Sequence, residues 1–319
     1  MSGDAALGGR EILVTGGAGF VGSHLVRRLV RDGARVTVLT QPGAPIAALA
    51  EVAGRVTLVE GDLVESASLE QAIGLLAPEV VFHLAAWTGG RSRPDDPGAW
   101  RLSLRVNLEG TLNLLVSLAA GRTRPKRIVR TGGMEEYGAG PAPFREEQRE
   151  HAVSPYSASQ VAATQVAHAL AAQWNLPLVT LRPALVYGPG QDESFFLPSL
   201  VRACVEGRDF AMTSGEQAVD FVFVDDVVEA LIASATRDGV EGEILNAGSG
   251  REITLRDLAE RVRALSGSRA RLLFGARPER AGEASHRWMD SRRAARLLEW
   301  SARTKLDEGL RRLIAAARA

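Results

Sequence analysis

Residues 15–22 read Thr15-Gly16-Gly17-Ala18-Gly19-Phe20-Val21-Gly22. They follow an apolar, β-branched run (11–15, EILVT) and open a segment with apolar residues at Val21, Leu25, Val26, Leu29 and Val30. That spacing predicts a helix over 20–31, closed by Asp32-Gly33. A glycine-rich turn between a first strand and a first helix lets the backbone fold tightly and approach a pyrophosphate. The free N–H groups and positive dipole end of the helix then face the phosphates. Gly16, Gly19, Phe20, Val21 and Gly22 are therefore expected to form a dinucleotide-binding turn, with Gly22 allowing helix and sheet to pack closely.

The same alternation continues outward. Strands are expected at 35–40, 56–60, 80–84, 127–131 and 178–181, with helices at 69–76, 102–119 and 155–174. A β-α-β-α order predicts a parallel, doubly wound sheet with right-handed crossovers. After Gly188-Pro189-Gly190 the segments shorten, with helices expected near 197–206, 226–235 and 255–265. This pattern predicts a dinucleotide-binding domain mainly over 1–188 and a smaller C-terminal substrate-binding lobe mainly over 189–319, with some chain exchange between them.

The chain has 319 residues, of which 45% are apolar, and Lys plus Arg equals Asp plus Glu at 38 each. Neutral balance leaves no electrostatic footprint for nucleic acid or an anionic membrane. The Arg-rich stretch 292–303 reads as a solvated helix face. The single cysteine, Cys204, has no partner for a disulfide or a metal site and reads as a small buried hydrophobe. With neither a secretory leader nor an apolar run of about 18 residues, a soluble cytoplasmic protein is expected.

The second strand ends at Thr40, followed by Gln41. A carboxylate there would bind the ribose 2′-OH of NAD and repel a 2′-phosphate. Its absence tips the expectation towards NADP over NAD. Asp62 is expected either to meet the adenine amino group or to cap the following helix. His83, at the end of the fourth strand, reads as a packed, hydrogen-bonded histidine.

Taken together, several segments resemble the extended short-chain dehydrogenase/reductases that modify nucleotide sugars, such as UDP-galactose 4-epimerases and dTDP-glucose 4,6-dehydratases. They are TGGAGFVGSHL (15–25), GDL (61–63), VFHLAA (81–86), NLEGT (107–111), SPYSASQ (154–160), LRPALVYGPG (181–190), FVFVDDVVEAL (221–231) and NAGSG (246–250). The resemblance covers nearly the whole chain. It implies a Rossmann-type domain whose dinucleotide also contacts Leu63, Leu84, Ala85, Ala86 and Pro183, a nucleotide-sugar substrate meeting it in a cleft, and hydride exchange, most often at C4 of the sugar. It further implies a homodimer paired through the helices at 102–119 and 155–174.

The catalytic positions depart from that pattern. Tyr156 matches the tyrosine of the family's Tyr-x-x-x-Lys, but Gln160 stands at the lysine, which in the family binds the nicotinamide ribose and lowers the tyrosine pKa. Glutamine keeps a hydrogen bond and carries no charge. An unperturbed tyrosine titrates near ~10, so about one molecule in a thousand is tyrosinate at neutral pH. Losing a three-unit depression is worth roughly 4 kcal/mol. Tyr156 is thus a poor base but a competent proton donor. The family's Ser/Thr that bonds the reacting oxygen falls on Gly133, followed by Met134-Glu135 where dehydratases carry Asp-Glu. Glu135 or Glu136 is expected to be either a base in the cleft or a solvated loop carboxylate. Thr131 is expected to close its strand or to swing in as a hydroxyl donor. Of two arginines that relatives use to grip the diphosphate, one is replaced by Val219 and the other matches Arg280. Asn107 matches an asparagine beside the active site and is expected at the substrate or inside its helix. Three readings follow: a nucleotide-sugar epimerase, dehydratase or 4-ketoreductase; the same scaffold with Glu135 or Glu136 chemistry; and a dinucleotide-binding protein without catalysis.

Overall fold

The computed structural model describes residues 7–89, 95–121, 123–278 and 284–319. Its first half runs β1 (Glu11–Thr15), α1 (Phe20–Arg31), β2 (Arg35–Thr40), a 3₁₀ segment (Ala47–Arg55), β3 (Val56–Glu60), α2 (Ser66–Ile73), β4 (Val80–His83), α3 (Pro97–Ser103), a π-helical turn (Leu104–Glu109), α4 (Gly110–Ala120), β5 (Arg127–Thr131), a 3₁₀ turn (Met134–Tyr137) and α5 (Pro155–Trp174). There follow β6 (Leu178–Pro183), β7 (Leu185–Tyr187), α6 (Phe196–Val205), β8 (Phe210–Ala211), β9 (Ala218–Phe223), α7 (Val224–Thr236), β10 (Ile244–Ala247), β11 (Glu252–Thr254), α8 (Leu255–Ser266), β12 (Leu272–Leu273), β13 (His286–Arg287), α9 (Arg292–Leu298) and α10 (Leu306–Arg318).

Seven parallel strands form the main sheet in the order β10-β6-β5-β4-β1-β2-β3. Successive strand residues point to opposite faces, and both faces are covered. Ile12, Val14, Val38, Phe82 and Val129 pack with Leu25, Val26 and Leu29 of α1. Leu13, Leu39, Val81 and Ile128 pack with Leu114, Leu115 and Leu118 of α4 and Ala167 of α5. A short second sheet is centred on β9, which pairs with β7, β11 and β13. Residues beyond 189 return to the main sheet as β10 and as α7, which packs against β5 and β6.

The expected helix at 102–119 begins earlier and is interrupted. Asp96 starts it: its Oδ1 accepts from the Gly98 amide at 2.8 Å, and Pro97 follows in the first helical turn. The π-helical turn at 104–109 then inserts before α4. The expected helix at 69–76 lies three residues further towards the N-terminus, and the strand expected to reach 84 ends at His83. Ser154 caps α5, accepting from the Ser157 amide at 3.1 Å while Ser157 Oγ accepts from the Ser154 amide. That cap fixes the start of the helix one residue before Tyr156. Among the described residues no helix is long and apolar enough to cross a membrane.

Candidate active site

The glycine turn fits a dinucleotide in shape and in charge. Gly16 has φ +70°, and a Cβ there would lie 2.6 Å from the Ala85 amide nitrogen. A Cβ on Gly22 would lie 2.0 Å from the Gly16 carbonyl oxygen. These two positions bring β1, α1 and the β4 loop to backbone contact. Gly19 stands at the N-cap of α1 with no side-chain cap, and the first turn of the helix holds no acidic residue. The helix therefore presents its N–H groups and positive end uncompensated, as a diphosphate requires. Leu84 and Ala85 lie against Gly16, and Thr40 is buried at the end of β2. Leu63 is buried beside Gly110, and Pro183 is buried at the end of β6. Asp62 is not the cap of α2. That position is Glu65, whereas Asp62 Oδ1 accepts from the Val64 amide at 3.0 Å within its own loop.

A buried relay behind the turn sets the histidine. The Ala85 amide donates to Thr15 Oγ1, which meets His83 Nδ1 at 2.7 Å. His83 Nε2 meets Thr111 Oγ1 at 2.9 Å, and that hydroxyl donates to the Asn107 carbonyl at 2.6 Å. Each hydroxyl has one proton, so the network assigns it from Thr15 to His83 Nδ1, and from His83 Nε2–H to Thr111. The ring is neutral. Burial, with Arg130 adding, pushes its pKa down to about 3.

Asn107 joins the π-helical turn to α5. Its Oδ1 accepts from the Trp87 amide at 2.7 Å, and its Nδ2 donates to the Trp87 carbonyl and to Ser159 Oγ. Ser159 in turn donates to the Tyr156 carbonyl at 2.8 Å. These bonds make Asn107 a clamp between the Trp87 backbone and α5.

Tyr156 lies in the first turn of α5 and Gln160 one turn later, on the same face. Burial raises the tyrosine pKa, Glu135 and then Glu136 raise it further, and Arg130 opposes them. The hydroxyl is held protonated. A Cβ on Gly133 would lie 2.9 Å from Glu135 Oε2 and 3.8 Å from the Tyr156 hydroxyl. The missing Ser/Thr side chain has thus been exchanged for space that the Glu135 carboxylate enters.

Glu136 is not a solvated base. It is fully buried; Oε1 accepts from the Gly133 amide at 3.0 Å, and Oε2 accepts from Thr164 at 2.8 Å and Arg182 at 2.6 Å. Arg182 also donates to Glu150. Gly132 leaves room for this carboxylate, since a Cβ there would fall 2.0 Å from Glu136 Oε1. Thr131 donates to the His83 carbonyl at 3.2 Å and so closes its strand. Val219 is buried in β9, paired in register with Arg287 of β13. Arg280 lies outside the described residues.

Sequence reasoning passed over Arg130 and Arg182. Both are charged residues inside buried strands, RIVRT and LVTLRP. A cation in such a run carries a signal, because an unpartnered buried charge is costly.

Residues 12–248 match the model of the NAD dependent epimerase/dehydratase family. The chain belongs to that family. Its members include enzymes that epimerise or dehydrate nucleotide sugars. A UDP-glucose 4-epimerase of Mycolicibacterium smegmatis is 33% identical over 311 residues, covering 95% of this chain and 96% of that protein. The crystal structure of a UDP-glucose 4-epimerase from Thermotoga maritima, with UDP-glucose, superposes with a TM-score of 0.88 at 28% identity, covering 97% of this chain and 98% of the other. MoeE5, in complex with UDP-glucose and NAD, superposes with a TM-score of 0.83 at 31% identity, covering 97% and 98%.

Two outcomes follow from this geometry. Gly19→Val, at φ −75° and with only the Gly16 carbonyl near its Cβ, keeps the fold but loses dinucleotide affinity by at least about 100-fold, which is roughly 3 kcal/mol. Gly22→Ala, by contrast, lowers the melting temperature as well; calorimetric titration and thermal melts read the difference, and a Gly19→Val protein binding like the wild type contradicts the assignment. The second outcome concerns pH. His83 is neutral in the fold down to about pH 3, whereas the unfolded ring takes a proton near ~6.5. Its stabilising share is complete above the unfolded pKa and is lost as pH falls through that window. Urea midpoints from pH 7 to 4 should fall less steeply for His83→Asn than for the wild type; parallel slopes would refute the buried neutral ring.

Proposed function

We propose that this protein reduces a 4-keto group, or the 4-keto intermediate of an epimerisation or dehydration, on a nucleotide-linked sugar, with Tyr156 as the proton donor. The observation that carries the reading is the setting of Tyr156: Glu135 Oε2 and the tyrosine hydroxyl both border Gly133, and the side chain one turn on is the uncharged Gln160; burial and the two carboxylates then favour the neutral hydroxyl. A donor of this kind protonates the C4 oxygen as the ketone is reduced, but is slow to take a proton from an alcohol. A dinucleotide held at its diphosphate by the glycine turn would supply the hydride from its nicotinamide when bound. Asn107 and Ser159 fix the backbone of the helix that carries Tyr156. The UDP-glucose named for the similar structures supports a nucleoside diphosphate sugar. Arg280 and Arg287 are the cations proposed to meet the diphosphate, the latter because its Nε is buried without a partner among the described residues. For the cofactor, the uncharged Thr40-Gln41 pair supports NADP alongside NAD.

A second reading rests on Glu135. Its carboxylate occupies the space beside Gly133 and the Tyr156 hydroxyl, where it is placed to exchange protons at the carbon next to a ketone. This reading predicts loss of elimination or epimerisation, and not of reduction, in Glu135→Gln.

The test is NMR of nucleotide sugars and their 4-keto derivatives after incubation with the protein, supplied separately with the NAD and NADP couples. The expected result is a reduced or epimerised C4, with turnover lowered at least about 1,000-fold in Tyr156→Phe, or roughly 4 kcal/mol of transition-state stabilisation. A panel left unchanged refutes the proposal, and turnover that survives Tyr156→Phe removes the tyrosine from it.

We also infer a homodimer. Trp100, Leu102, Leu104 and Val116 are exposed apolar residues along α3, the π-helical turn and α4, more than a solvated helix face needs. Sedimentation should give twice the chain mass, and Val116→Glu with Leu104→Glu should give the monomer; a wild-type monomer refutes the inference.

A further inference from the structure

Arg130 is the fourth of the five residues of β5 and is only 2% exposed. Its Nη2 donates to Gln160 Oε1 at 2.5 Å and its Nη1 to Thr164 Oγ1 at 2.8 Å. The Thr164 hydroxyl donates in turn to Glu136 Oε2. A hydroxyl therefore separates this guanidinium from the carboxylate, whereas Arg182 takes the same oxygen directly at 2.6 Å. Arg182 takes Glu136 and Glu150 directly, whereas Arg130 reaches Glu136 only through Thr164 and places its guanidinium behind the catalytic helix.

An arginine has only donors, so the Gln160 atom that faces it is the carbonyl oxygen. That bond fixes the amide flip and turns Nε2 away from the strand. Gln160 lies one turn after Tyr156, so it shares that residue's face of α5. The guanidinium thus sits one side chain behind the point where a lysine at 160 would carry its ammonium.

We propose that Arg130 and Gln160 divide between them the work of the single lysine of the Tyr-x-x-x-Lys pair. Gln160 Nε2 is the donor offered to the ribose on the nicotinamide side. Arg130, a positioning residue, holds that amide in place and supplies the positive charge from the strand behind it. Consistent with this division, Arg130 lowers the Tyr156 pKa against the burial that raises it. The proposal rests on the dinucleotide reading of the site and not on the identity of the sugar.

The pair also explains why a simple reversion is not expected to help. Lysine at 160 alone would set an ammonium against a buried guanidinium, and like charges at bonding distance are destabilising. Lysine becomes acceptable when Arg130 is removed at the same time.

The experiment is calorimetric titration of NAD+ and NADH, and of the phosphorylated couple, into the full-length wild type, Arg130→Met, Gln160→Lys and the double variant, with thermal melts of each. The oxidised ring is cationic and the reduced ring is not, so removing a nearby charge must change their affinities unequally. We expect Arg130→Met to cost the reduced form about tenfold more affinity than the oxidised form. We expect Gln160→Lys alone to melt lower and bind both forms more weakly, and the double variant to regain both stability and the wild-type affinity ratio within about threefold. Equal losses of the two forms in Arg130→Met would make Arg130 a packing residue and overturn the proposal. So would a Gln160→Lys protein as stable and as tight as the double variant. Should Arg130→Met not fold, Arg130→Lys and the double variant carry the test: each keeps one cation, and each must keep the wild-type ratio. Unchanged sugars with a shifted ratio refute the proposed reaction alone, whereas turnover with an unshifted ratio refutes the Arg130–Gln160 pair alone.

Discussion

The backbone crossing at Gly16 is the constraint on which the rest of the site depends. With φ at +70° and no side chain, Gly16 lets the first turn lie directly on Leu84 and Ala85. Any Cβ would force β1 and the β4 loop apart. Thr15, next to it, anchors the relay through His83 and Thr111 to Asn107. Asn107 then anchors Trp87 and, through Ser159, the first turn of α5. The phosphate end and the chemical end of the cleft are thereby tied through one chain of buried hydrogen bonds. Such a relay is stable only if every member is satisfied, and here each hydroxyl both donates and accepts.

A second buried network lies under the reacting groups: Arg130, Gln160, Thr164, Glu136, Arg182 and Glu150. Its members are four charged and two neutral polar side chains in positions that neighbouring residues make possible, with Gly132 leaving room for Glu136. Breaking a buried pair of this sort by removing one partner costs about 3–5 kcal/mol. The network therefore constrains which substitutions the site tolerates, and it links the departures at 133 and 160 through Glu136, which accepts from the Gly133 amide and from Thr164. Gly133 opens space for Glu135, Glu136 is held by Arg182, and Gln160 is held by Arg130. A substitution at 160 leaves the Arg130 guanidinium without its amide partner, and one at 136 leaves Arg182 without one of its two carboxylates.

Much of the scaffold was legible in the sequence. The glycine turn, the strands at 11–15, 35–40, 56–60 and 127–131 and the helices at 20–31 and 155–174 have periodicity and caps strong enough to be read locally. The interruption at 104–109 was not legible, since Asn107, which lies in it, has its side-chain partners Trp87 and Ser159 20 and 52 residues away. The Asp96-Pro97 start was a readable cap that periodicity alone overlooked. In the site, Tyr156 and Gln160 could be placed by their match to the Tyr-x-x-x-Lys pattern of the family that the chain resembles. Whether Glu136 was a base or a structural anion could not, since its partners Thr164 and Arg182 lie 28 and 46 residues away. Arg130 was visible only as an anomaly in a buried strand, and its meaning depends on a contact with α5.

One dinucleotide, on the reading proposed above, reaches from the glycine turn to the Gln160 amide. Amide NMR of the uniformly 15N-labelled protein during titration with NAD+ tests it most directly. The account predicts that the backbone signals of Gly19, Phe20 and Val21 and the side-chain NH2 of Gln160 shift together, with a single dissociation constant. Turn signals that stay in place, or a Gln160 side chain that does not move while the turn saturates, would contradict it.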